Sequence, residues 1–197
     1  MTSGGRKPNQ RSRYTANLVD TGVFRAIGKP PNAHYDALKD AAVTADTILH
    51  LPATIYEELG GSSETDEFPA GSDYVDDAIR GGWITVAEPL PGARTDDYED
   101  VTAPVERSRH DAHQVIANLT NHPKTVNQWD DTALVGLAVR LFEQNERIRI
   151  IVHTTDRALS KAVRVVVPHY GYYEIKCRYY PPQSVQDRIT MGEKFTW

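Results

Sequence analysis

Cysteine is nearly absent from this 197-residue chain, where Cys177 stands alone. That excludes an internal disulfide and a multi-cysteine zinc site, and Cys177 itself reads as a half-buried strand residue. Long apolar runs are missing as well. None approaches the roughly 18 residues needed to span a bilayer, and the first residues contain no apolar leader-like region. The expectation is a cytoplasmic protein with no membrane contact. Net positive charge is lacking too: the formal charge is -5, which gives no overall attraction to nucleic acid. No internal repeat is visible. What remains is ordinary, with 40% hydrophobic and 25% charged residues, enough for one domain with a proper core.

The charge is unevenly placed. Residues 1–15 carry Arg6, Lys7, Arg11 and Arg13 with no acid, whereas residues 61–77 carry Glu64, Asp66, Glu67, Asp73, Asp76 and Asp77 with no base. The first stretch reads as a disordered basic tail, since it has nothing to bury. Arg outnumbers Lys and Asp outnumbers Glu, a mild sign of a GC-rich or salt-adapted source.

Between the tails, short apolar runs alternate with helical patterns. Residues 16–20, 47–51, 83–87, 147–152 and 163–167 read as strands. Helices are expected after Thr21, over 32–45, after Pro52, over 73–80, over 104–119 and from Asp131 to about Gln144, with a short one over 157–162. The helix after Asp131 is the clearest, with Leu134, Val135, Ala138, Leu141 and Phe142 forming one apolar stripe. Residues 61–72 and 88–102 read as exposed loops. Apolar strands separated by helices predict an α/β fold with a parallel sheet of about four to five strands, covered on both faces. After Pro168 the chain turns tyrosine-rich, which suggests an appended strand or hairpin, and a loosely ordered polar tail is expected beyond Pro182.

Four acids stand where a strand ends or a helix begins: Asp20, Glu58, Asp131 and Asp156. Each has a bland explanation as an N-cap or a solvated helix residue. In a parallel α/β sheet, however, the carboxyl ends of the strands share one edge and bring such residues together. Four convergent carboxylates repel one another unless divalent cations neutralise them, so the pattern points to a Mg²⁺ or Mn²⁺ site.

The surroundings of these acids resemble those of PIN-domain nucleases. Leu18-Val-Asp20-Thr-Gly resembles the first motif of that family, an apolar strand running into Asp. His50-Leu-Pro-Ala-Thr-Ile-Tyr-Glu-Glu58-Leu resembles the second, a helix carrying Glu just before Leu. Asp131-Thr-Ala-Leu resembles the third, and Val152-His-Thr-Thr-Asp156 the fourth. The resemblance covers residues 16–168 in family order and leaves 169–197 as a C-terminal extension. It departs at Gly22, where the family more often has Asn or Ser. Glu58 is preferred to Glu57 because it directly precedes Leu59, and Asp131 to Asp130 by its spacing to the apolar stripe.

The resemblance implies a three-layer PIN-like fold of toxin or RNA-processing type. It also implies metal-dependent hydrolysis of RNA phosphodiesters, with Asp20, Glu58, Asp131 and Asp156 as catalytic and metal-binding residues. Thr154 and Thr155 are candidates to position waters. RNA is the implied partner, with an antitoxin protein and a second copy of the chain as further ones. An acidic pocket repels a polyanion, so basic or stacking groups must lie beside it. Candidates are Arg25, Lys29, Arg157, the tail arginines, and Tyr170, Tyr172, Tyr173, Lys176, Arg178, Tyr179 and Tyr180. The alternative is a catalytically silent PIN-like module that binds RNA or protein. A haloacid-dehalogenase-like phosphatase also begins with a strand ending in Asp, but it needs a second Asp where Gly22 stands.

Overall fold

A computed structural model describes residues 14–61, 75–90, 103–120 and 130–197. The basic arginines at 6, 11 and 13, and most of the loops expected at 61–72 and 88–102, lie outside these residues. Five strands, β1 (Thr15–Val19), β2 (Leu49–Leu51), β3 (Ile84–Val86), β4 (Arg149–Thr154) and β5 (Ile175–Tyr179), form one sheet in the order β3-β2-β1-β4-β5. Every neighbouring pair is parallel, so all five strands end at the same edge. Sequence order reverses beside β1, which leads the sheet first one way and then the other. Such switch points open a crevice at the carboxyl edge.

The helices are α1 (Thr21–Ile27), α2 (Ala33–Thr44), α3 (Ala53–Glu58), α4 (Asp76–Arg80), α5 (Pro104–Thr120), α6 (Ala133–Gln144), α7 (Arg157–His169) and α8 (Val185–Ile189). Helices α5, α6 and α7 pack on one another, with α6 against β1 and α7 against β4 and β5. α1 packs against α8 and the 3₁₀ turn before it. The central strands are almost wholly buried, with Ala16, Leu18, Ile150, Ile151 and Val152 all at 0% exposure. Burial on both sides of the strands explains their continuous apolar runs. Among the described residues no helix is long and apolar enough to cross a membrane.

Two expectations about the last third of the chain need correction. Residues 163–167 are helical, part of the thirteen-residue α7. Their valines favour strands by propensity, but tertiary packing decides otherwise. Leu159, Ala162, Val163, Val166 and Val167 are buried while Val165 is 53% exposed, a helical and not an alternating pattern. Gly171, at φ 87°, provides the left-handed turn that leads from α7 toward β5. The fifth strand lies instead in the tyrosine-rich segment, where β5 pairs with β4 from Ile150↔Ile175 to Thr154↔Tyr179.

The residues beyond Pro182 are also ordered. They form a 3₁₀ turn (Pro182–Ser184), α8 and a second 3₁₀ turn (Gly192–Phe195), and bury Val185, Ile189 and Phe195. Three widely spaced apolar residues are a faint signal, but each fills the core. A buried polar chain anchors this segment to the sheet. The Asn17 amide Nδ2 donates to the Phe195 carbonyl at 3.0 Å and to Thr47 Oγ1 at 2.9 Å, so its Oδ1 faces His153 Nε2 at 2.9 Å. That contact makes Nε2 the protonated nitrogen, and Nδ1 accepts from the Tyr180 hydroxyl at 2.9 Å. Burial drives the His153 pKa down to about 3, so the ring is neutral.

Candidate active site

The backbone N–H of Asp20 donates to the His153 carbonyl at 2.9 Å, which fixes Asp20 at the carboxyl edge beside the end of β4. Asp20 occupies the N-cap position of α1, but its side chain makes no well-aligned capping bond, and the nearby Gly22 N–H is only a minor influence on it. Its Oδ2 accepts from Thr154 Oγ1 at 2.8 Å, and the residue is only 8% exposed. Capping alone therefore does not account for this carboxylate. Thr154, wholly buried, also accepts the backbone N–H of Asp156 at 2.9 Å. One hydroxyl thus ties the Asp20 side chain to the backbone that presents Asp156.

Asp156 does act as a cap: Oδ1 accepts from the Leu159 N–H at 2.8 Å and closes the first turn of α7. Glu58, the last residue of α3, accepts from Thr21 Oγ1 at 2.8 Å through Oε2. The Arg25 guanidinium lies 3.9 Å from the same oxygen and is 61% exposed, so its attraction is weakly held. Glu57 and Glu58 are both exposed, and it is Glu58 that makes the bond to Thr21. Asp131 precedes Thr132, the N-cap residue of α6. Thr132 is fully buried, and its hydroxyl accepts from Arg109 Nε at 3.2 Å.

Asp20 and Asp131 feel the charges of the other acids. Burial pushes the Asp20 pKa up to about 6, with Asp156 and Glu58 adding to the rise while Thr154 and the Gly22 N–H oppose it. Burial first, then the charges of Asp20, Asp156, Glu58 and Asp130, push Asp131 up to about 7. Asp130 thus enters as a further charge acting on Asp131. Carboxylates so affected favour a compensating cation or protonation.

No three His, Cys, Asp or Glu side chains among the described residues form a close group able to hold a metal ion directly. Neither Asp156 Oδ2 nor Glu58 Oε1 carries a protein hydrogen bond among the described residues. An all-oxygen donor set with free lone pairs and excess negative charge fits a hard divalent ion that keeps several of its waters, as Mg²⁺ usually does.

With Thr155 oriented as it is, Gly22 leaves no room for a side chain. A Cβ at this position would lie 2.0 Å from Thr155 Oγ1 and 3.3 Å from Asp20 Oδ2. The Thr155 hydroxyl fills the space that a side chain on residue 22 would take, which gives a physical reason for the departure in the first motif. Two other site residues escaped the sequence reading. Thr21 passes for a helix cap, and its bond to Glu58 spans 37 positions. Arg109 is 3% exposed, and its signal was available: it shares the apolar face of α5 with Val105, Ala112 and Ile116, a costly place for a guanidinium without partners.

The tyrosines are divided in their roles. Tyr170 donates to Asp111 Oδ2 at 2.7 Å, Tyr172 stacks on Phe142 with centroids 4.8 Å apart, and Tyr180 is buried against His153. Tyr173 is 76% exposed. Lys176 lies over the Trp197 ring at 4.4 Å, and Arg157 is exposed at the start of α7.

No match was found among curated proteins or among solved structures. A family model described as the halobacterial PIN domain matches residues 13–189, from just before β1 through α8. With an all-parallel five-stranded α/β fold and a match over nearly its whole length, the chain belongs to the halobacterial PIN-domain family, part of a nuclease-type superfamily.

Proposed function

We propose that this protein is a metal-dependent endoribonuclease whose site is built on Asp20, Glu58, Asp131 and Asp156. The observation that carries the reading is that Asp20 and Asp131 are both pushed up at the carboxyl edge of the sheet, by burial first and then by the charges of Glu58 and Asp156. An ordinary fold gains nothing from holding a buried carboxylate, Asp20, close to three further acids, whereas a site for a divalent ion and a phosphodiester does. A bound Mg²⁺ or Mn²⁺ would supply an acidified water and offset charge on the transferring phosphoryl oxygens.

The chain's own residues do the positioning. Asp20 and Asp131 are the proposed direct ligands, and Asp156 and Glu58 act through water. Thr154 holds the Asp20 carboxylate at a fixed angle, and Thr21 does the same for Glu58. Thr155, beside Gly22 and Asp20, can orient a water at the same edge. RNA is the proposed substrate, in either a toxin or a processing role. An antitoxin and a second copy of the chain are the protein partners this reading allows.

The test is cleavage of labelled single-stranded RNA with and without Mg²⁺ or Mn²⁺. Asp20→Asn and Asp131→Asn are each expected to reduce the rate by at least a hundredfold, since an electrostatic contact of this kind is worth about 10²–10³ in rate. RNA binding without metal-dependent cleavage, unchanged in both variants, would instead establish the silent-module reading.

A further inference from the structure

The outer edge of β5 carries a feature that the carboxylate site does not use. A cleft of about 550 Å³ wraps this edge and is lined by Arg164, Arg178, Arg188 and Lys194, with Tyr179 at its wall and Glu193 its lone carboxylate. Four cations against one acid is a local excess in a chain whose net charge is -5. Among the described residues, only Lys194 of these four cations is paired with an acid. Arg164 Nη2 donates to the Cys177 carbonyl at 2.6 Å. Arg178 donates to the carbonyls of Glu193 and Thr196 at 3.4 and 2.9 Å. These backbone bonds hold both guanidinium groups in place without cancelling their charge. Lys194 has one ion pair, to Glu193 at 3.8 Å, and Arg188 is exposed with no partner among the described residues.

The placement relative to the acids is also informative. Tyr179 pairs with Thr154 across the sheet, and Thr154 in turn holds Asp20. The cleft therefore begins two strand spacings, about 10 Å, from the end of β1. At about 3.4 Å per nucleotide of stacked strand, that is roughly three nucleotides.

We propose that this cleft seats backbone phosphates of the nucleic-acid strand, a few nucleotides from the bond held at the carboxylates. The identity of the polyanion rests on the nuclease reading. Fixed guanidinium groups suit phosphate recognition by paired N–H bonds, and the cleft supplies the attraction that the acidic site itself opposes.

The experiment is fluorescence anisotropy of a labelled single-stranded RNA oligonucleotide, in EDTA so that no cleavage occurs, across a series of KCl concentrations. Arg188→Gln combined with Lys194→Gln removes two cations whose side chains make no hydrogen bond that holds the fold together, and an unchanged melting temperature confirms that the variant is folded. The slope of log affinity against log salt is expected to shrink by about 1.4, from two contacts at about 0.7 each. Arg80→Gln, beyond the opposite edge of the sheet on α4, is expected to leave the slope unchanged. An equal slope in the double variant, or no RNA binding by the wild-type chain, would overturn the cleft. Cleft-dependent binding without metal-dependent cleavage would sink the nuclease reading and leave the cleft standing.

Discussion

At the scale of single residues, threonine hydroxyls set the behaviour of the carboxylates. Thr154 donates to Asp20 and lowers its pKa against a larger rise from burial. Thr154→Val removes that donor, so the Asp20 pKa is expected to climb further above about 6, while Thr154→Ser restores it. Carboxyl chemical shifts followed through a pH titration read this directly, and an unmoved Asp20 in Thr154→Val would refute the assignment. Gly22 and Thr155 form a second coupled pair. Gly22→Ala brings a Cβ onto Thr155 Oγ1 and is expected to destabilise by about 1–3 kcal/mol. Removing the hydroxyl in Gly22→Ala/Thr155→Ala should recover much of that loss, as a double-mutant cycle in denaturant measures. Purely additive effects would mean that the two residues do not meet. The acids themselves were legible in the sequence because each stands beside an apolar run. The hydroxyl that joins Asp20 to Asp156 was legible only as a candidate, because its partner Asp20 lies 134 positions away.

At the scale of elements, the sequence reveals periodicity more reliably than propensity. The stripe on α6 and the cap at Asn32, which accepts from the N–H groups of His34 and Tyr35, are local signals, and both helices form close to where they are expected. The valine run at 163–167 shows the opposite case. A strand there would place Val163, Val165 and Val167 on one face, whereas α7 buries Val163 and Val167 and leaves Val165 exposed. Substitution separates the two. Val167→Ala is expected to cost about 2 kcal/mol through lost burial, and Val165→Ala to stay within about 0.5 kcal/mol of neutral. Comparable losses at both positions in chemical denaturation would contradict the helix. β5 was the harder element to place. Its residues alternate only weakly in burial, and its position depends on pairing with β4, which no local pattern encodes.

At the scale of the whole molecule, two buried titrations oppose each other. An unfolded chain protonates His153 below about 6.5, whereas the folded chain resists until about 3. The unfolded state binds more protons in that window, so this contribution to stability is lost as pH falls through it. Asp20 and Asp131 act the other way. Their folded values of about 6 and about 7 lie above the ordinary 3.8. The stability they contribute is present below that ordinary value and is lost as pH rises through 6 and 7, when both must ionise beside Glu58 and Asp156. A divalent cation held by these carboxylates would offset the loss only where they are ionised. Added Mg²⁺ or Mn²⁺ is therefore expected to raise the melting temperature more at pH 8 than at pH 5, and EDTA to reverse the gain. Asp20→Asn combined with Asp131→Asn should remove both the metal effect and the alkaline loss while keeping the acid-side loss from His153. A metal-induced rise that is equal at the two pH values, or that survives in the double variant, would show that the ion binds elsewhere. Because melting reports binding without turnover, the outcome bears on the site independently of which RNA the protein cuts.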